Sequence, residues 1–129
     1  MVIAGIVAEY NPFHNGHEWH IRRTREKLGE DAVIVCCMSG DFVQRGEAAA
    51  YSKFAGAEAA AGWGADLVFE LPLPGARSSA EGFARGAVGL LAQLGAVDVL
   101  SFGSECGDAD ALSAAAEALL DPSLGPEIR

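Results

Sequence analysis

The chain has 129 residues, half of them hydrophobic, and sets 18 acidic side chains against 9 basic ones for a net charge of −9. That length supplies a single packed core and excludes a second domain. The first half is nearly balanced, whereas residues 65–129 carry 10 acids and 3 bases, which excludes a broad basic face for nucleic acid.

Met1 leads straight into Val2 to Ala8, an apolar run too short to span a membrane or to serve as a cleaved leader. The run reads as a first strand. Three cysteines, Cys36, Cys37 and Cys106, fit neither a disulfide framework nor a zinc spacing. Together these features describe a soluble, cytoplasmic protein with reduced thiols. A helix follows over about 16–28, ending before Gly29, and a second strand over Ala32 to Met38. The Ala-rich segment 48–62 predicts a second helix, Asp66 to Leu71 a third strand, 79–94 a third helix, Val97 to Phe102 a fourth strand and 109–120 a fourth helix stopped by Asp121-Pro122. None of the four strands alternates with polar residues, so each reads as buried on both faces of a parallel sheet. Strand and helix in alternation give an α/β doubly wound fold with helices on both faces. Residues 1–121 are expected to form one nucleotide-binding domain and 122–129 a tail.

In such a sheet ligands bind beyond the carboxyl ends of the strands, where strand order reverses. The first strand there runs into Glu9-Tyr10-Asn11-Pro12-Phe13-His14-Asn15-Gly16-His17. Pro12 delays the helix, Gly16 sits where it starts, and the exposed amides of a helix start attract anions. His14 and His17, three apart, fall on one face at that positive end. They can donate to phosphate oxygens and stabilise charge on a leaving pyrophosphate. Ser39 to Gly46 forms a loop after a central strand, with Asp41, Gln44 and Arg45 as its polar equipment. Asp41, Arg45 and, on the next helix, Lys53 are further candidates for substrate contact. Arg45 has the lesser alternative of pairing with Asp41 or Glu47, and Lys53 could equally lie on a solvated face. Cys36 and Cys37 belong to a buried strand and read as packing. Arg22, Arg23, Arg25 and Lys27 are the one basic cluster, diluted by Glu18 and Glu26, and read as a solvated helix face.

The string Val7 to His17 resembles the His-x-Gly-His signature of the nucleotidyltransferase superfamily. More narrowly it is similar to the tRNA(Met) cytidine acetate ligases. Met38-Ser39-Gly40-Asp41-Phe42-Val43-Gln44-Arg45-Gly46-Glu47, Gly64-Ala65-Asp66-Leu67-Val68-Phe69-Glu70-Leu71-Pro72, Ser79-Ala80-Glu81-Gly82-Phe83-Ala84 and Phe102-Gly103-Ser104-Glu105 extend the likeness over most of residues 2–105.

The resemblance implies a Rossmann-like nucleotidyltransferase domain. Its reaction would be ATP-dependent activation of acetate to acetyl-adenylate, then acetyl transfer to N4 of the wobble cytidine of elongator tRNA(Met). On that likeness His14 and His17 are catalytic. ATP would contact Val7, Ala8, Glu9, Tyr10, Asn11, Pro12, Phe13, His14, Asn15, Gly16, His17, Glu18, Trp19, His20 and Gly103. A magnesium ion would come with ATP, for which no dedicated carboxylate cluster is visible. A second phosphate motif is expected after a later strand; Arg77-Ser78-Ser79 resembles it but comes too early in the topology. Members of the family are considerably longer than this chain, so tRNA recognition is expected in a region the chain lacks. The alternatives are a small-molecule nucleotidylyltransferase of the same fold and a non-catalytic nucleotide-binding module.

Overall fold

A computed structural model describes residues 1–44 and 46–123. Four strands, β1 (Ile3–Ala8), β2 (Val33–Met38), β3 (Leu67–Glu70) and β4 (Val99–Ser101), form one sheet in the order β3-β2-β1-β4. Every pairing is parallel, with Ile3 opposite Val33, Ala4 opposite Val99 and Val35 opposite Leu67. Between them lie α1 (Asn15–Leu28), α2 (Lys53–Gly62), α3 (Leu73–Ala76) and α4 (Ala80–Gln93), and α5 (Ala109–Leu120) follows the last strand. Parallel crossovers are right-handed, so stepping outward from β1 to β2 to β3 places α1 and α2 on one face. The return to β4, on the far side of β1, puts α3 and α4 on the other.

The core divides along the same lines. Ala4, Ile6, Ile34, Cys36 and Met38 meet Ile21 of α1 and Ala60 of α2, while Val35 and Cys37 meet Ala76 of α3 and Ala87 and Leu91 of α4. Each buried Ile or Leu contributes about 1.5–3 kcal/mol by leaving water. On the α4 face a Cβ at Gly5 would lie 2.9 Å from Leu91 Cδ1 and 3.1 Å from Val97 Cγ1, so this strand position has room for hydrogen alone. Arg25, far from being solvated, ties the base of α1 to β3: it donates to the carbonyls of Ala32 and Gly64 and to Asp66 Oδ2. Asp66 Oδ2 also accepts from the Ile34 amide at 2.7 Å. Arg22 faces Glu18 and Glu26, and Arg23 pairs with Glu26, as expected of a solvated helix face.

Three expectations need correction. The second helix begins at Lys53, not near 48: Ser52 caps it by accepting from the Ala55 amide, and the preceding alanines are held in a loop by a Phe42–Ala48 bridge. A short helix, α3, follows Pro72 where a plain loop was expected. The outer strands are shorter than predicted and are not buried on both faces. β3 and β4 are the sheet's edges, and Leu67, Val99 and Leu100 are all exposed. α5 buries none of its residues.

Candidate functional site at the β1–β4 switch point

Strand order reverses between β1 and β4, and with α1 and α4 on opposite faces the carboxyl ends of these two strands are left uncovered. A cleft of about 700 Å³ opens there. One wall is α1, contributing His14, Gly16, His17, Trp19, His20, Arg23, Thr24, Lys27 and Leu28; the other runs from Val99 to Ser104 and on through Gly107 and Ala109 to Leu112.

The start of α1 is capped by imidazoles. His14, in extended backbone at the N-cap, accepts from the Gly16 amide through Nδ1 at 3.1 Å. His17 in turn accepts from the His14 amide through its own Nδ1 at 3.2 Å. This is the reciprocal logic of a capping box, carried by histidines. It needs Gly16, because a Cβ there would stand 2.9 Å from His14 Cε1. A nitrogen that accepts from an amide holds no proton, so both rings carry theirs on Nε2. The cap therefore leaves two N–H donors for a ligand at the positive end of a helix.

The rings stack with centroids 3.8 Å apart, an arrangement that resists two positive charges. Burial, then the nearby His14 and His20, push the His17 pKa below its ordinary value, so His17 is neutral at pH 7. Tyr10 steadies it edge-on at 4.9 Å, and Phe13 packs against Tyr10 at 5.0 Å. Tyr10 adopts a left-handed backbone (φ 50°), and its hydroxyl lies 3.2 Å from Cys36 Sγ inside the core. Burial raises the pKa of both groups, so neither ionises at neutral pH.

Of the residues expected to meet a nucleotide, His14, Gly16, His17, Trp19, His20 and Gly103 line the cleft. A Cβ on Gly103 would meet nothing within 4 Å, which leaves the strand exit open to a ligand. Val7 and Ala8 pack against the two cores, and Tyr10 and Phe13 buttress His17. Asn15 opens α1, and Glu18 faces Arg22. Glu9 accepts from the Gln44 amide at 2.9 Å and Asn11 from the Ala50 amide at 2.6 Å, across a cis Asn11–Pro12 bond. Asp41 accepts from the Lys53 amide, and the Lys53 ammonium reaches Glu70 at 2.7 Å. These polar side chains pin the loop over β2 and lie outside the cleft. Arg45 falls outside the described residues. Sequence reasoning missed Thr24 and Ser101 as wall residues and assigned Arg23 and Lys27, which also line the cleft, to a solvated face. Ser101 lies on the face of β4 shared by Ile6, a placement that only the register supplies.

Comparisons with known proteins identify the family. A family model described as HIGH Nucleotidyl Transferase matches residues 1–124. A curated tRNA(Met) cytidine acetate ligase from Caldicellulosiruptor bescii is 52% identical over 119 residues, covering 92% of this chain and 29% of that protein. Another, from Clostridium acetobutylicum, is 56% identical over 108 residues, 84% of this chain and 27% of that protein. The crystal structure of Thermotoga maritima TmcAL bound with alpha-thio ATP superposes with a TM-score of 0.87 at 47% identity, covering 92% of this chain and 28% of that one. The chain thus spans less than a third of the relatives it matches.

Proposed function

Because the chain belongs to the HIGH nucleotidyl transferase family, we propose that it is the ATP-binding part of a tRNA(Met) cytidine acetate ligase, with residues 1–121 as the nucleotide-binding unit. The observation that carries this reading is the imidazole cap, which presents two Nε2–H donors beside helix amides at the switch point of the sheet. In the proposed reaction an acetate oxygen bonds to the α-phosphorus of ATP as the bond to the β-phosphate oxygen breaks. Acetyl-adenylate forms and pyrophosphate leaves with the electron pair. His14 and His17 hold the phosphates in line and stabilise the charge gathering on pyrophosphate. Trp19 and Phe102, both on the cleft and both more than half exposed, offer flat faces to the base. The acetyl group would then pass to N4 of the wobble cytidine of tRNA(Met), recognised by parts of the ligase that this chain does not span.

Among the described residues no three His, Cys, Asp or Glu side chains lie together to hold a metal ion, so magnesium would be held by the phosphates of ATP. The same residues include no helix long and apolar enough to cross a membrane, and the cytoplasm is the proposed setting. Pyrophosphate exchange into ATP tests the reading when this chain is supplied with the remainder of the ligase. Exchange that requires acetate supports it. Exchange that requires a phosphorylated metabolite points to a small-molecule nucleotidylyltransferase, and ATP binding without exchange points to a non-catalytic module.

A further inference from the structure

The two walls of the cleft are joined at one point by a ring of hydrogen bonds whose direction can be worked out. The Thr24 hydroxyl donates to the His20 carbonyl at 2.9 Å. A hydroxyl has one proton, so the 2.6 Å contact between Thr24 Oγ1 and Ser101 Oγ must be donated by Ser101. That uses Ser101's only proton. His20 Nε2, 2.9 Å from the same Ser101 oxygen, is therefore the donor. The ring runs His20 side chain to Ser101 to Thr24 to His20 backbone, with each proton used once.

We infer that His20, Ser101 and Thr24 form a latch that sets the spacing between the histidine helix and the Gly103 turn, with His20 acting as a positioning residue fixed in its Nε2–H form. Ser101 ends β4 two residues before Gly103, and it sits opposite Ile6 of β1. His20 is one helical turn beyond His17. Fixing one to the other therefore fixes the gap into which a nucleotide must fit. The strand it holds is three residues long and lies at the sheet edge, where its other ties are the ladder to β1 and the hydrogen bonds between Asp98 and Ile3. Thr24 is 5% exposed, and burial lowers the His20 pKa, so the ring is half-buried on the cleft wall and its histidine neutral at pH 7. A donor spent on Ser101 is not available to phosphate, which separates His20 from His14 and His17.

The latch rests on the nucleotide reading only for its consequence, so the test has two parts. Long-range proton–nitrogen spectra of the chain labelled on histidine should show His20 as the neutral Nε2–H tautomer at pH 7. The Nδ1–H tautomer would overturn the ring whatever the protein binds. ATP titration should then show about tenfold weaker binding for Ser101→Ala and for Thr24→Val, the cost of one lost hydrogen bond. Thr24→Ser, which keeps the hydroxyl, should recover affinity, and circular dichroism should confirm that each variant is folded. Equal affinity in the unaltered chain, Ser101→Ala and Thr24→Val would overturn the positioning role. Should the unaltered chain bind no ATP while His20 gives the Nε2–H signal, the nucleotide reading fails and the ring stands.

Discussion

The two walls of the cleft are built to different standards. α1 drives Ile21 into the core at 1% exposure, caps its own start with two histidines and anchors its base through Arg25 to Asp66. The β4–α5 wall contributes a three-residue edge strand and a helix with no buried residue, and it leaves Phe102 at 64% and Leu120 at 79% exposure. Burial and satisfied polar groups hold the first wall rigid, whereas the second depends on its ladder to β1 and on the contacts of Ser101. Charge at the first wall can thus be positioned to within a hydrogen bond, while the second wall is set against it through Ser101.

That contrast can be broken most forcefully in the core. Ile21→Ala should cost about 2–5 kcal/mol, through lost burial and the cavity left behind. Leu120→Ala, at the far end of the other wall, should stay within about 0.5 kcal/mol. Urea denaturation followed by circular dichroism measures both, and comparable losses would erase the distinction. Gly5→Ala should cost about 1–3 kcal/mol in the same assay, because the new methyl meets Leu91, Val97 and Leu100 at 2.9–3.2 Å.

The anchor beneath α1 sharpens the comparison through pH. Desolvation opposes ionisation of Asp66, but the Ile34 amide and the Arg25 guanidinium outweigh it and hold the carboxyl below its ordinary pKa. A carboxyl lowered in the folded state binds fewer protons there than in the unfolded chain. Its contribution is therefore complete above the ordinary carboxylate pKa near 4 and lost as pH falls through the lower folded value. Asp66→Asn should remove that acid limb from a plot of unfolding free energy against pH. If the plot keeps its slope, Asp66 is not the group being titrated. The smallest effect is expected with RNA: at −9, with Arg22 and Arg23 facing glutamates, the chain should show no measurable affinity for tRNA(Met) near physiological salt. Fluorescence anisotropy checks this, and micromolar binding would put an RNA site on the first helix.

Much of the first wall was legible in the sequence, because strand, Pro12, Gly16 and two histidines at a spacing of three are local signals. The cap itself was less so: residue types do not reveal that His14 and His17 would accept from backbone amides and thereby expose Nε2–H. Glu9, Asn11 and Asp41 look like ligand groups, yet each accepts from a backbone amide of residues 44–53, a contact set by how the loop after β2 folds. The exposure of β3 and β4 was not legible either. An edge strand and a central one share the same apolar composition, and strand order comes from the topology of the crossovers. The Ser101 latch depends on register between residues some 80 apart in sequence, for which no local pattern exists.

The central claim is that the imidazole cap of α1 holds the phosphates of ATP. Calorimetric titration of ATP against the chain and against His14→Ala and His17→Ala tests it most directly, with circular dichroism to show that the variants fold. The account predicts ATP binding by the unaltered chain and a loss of about tenfold or more in each variant, as expected for removing a hydrogen bond to a charged group. Unchanged affinity in both folded variants would contradict it.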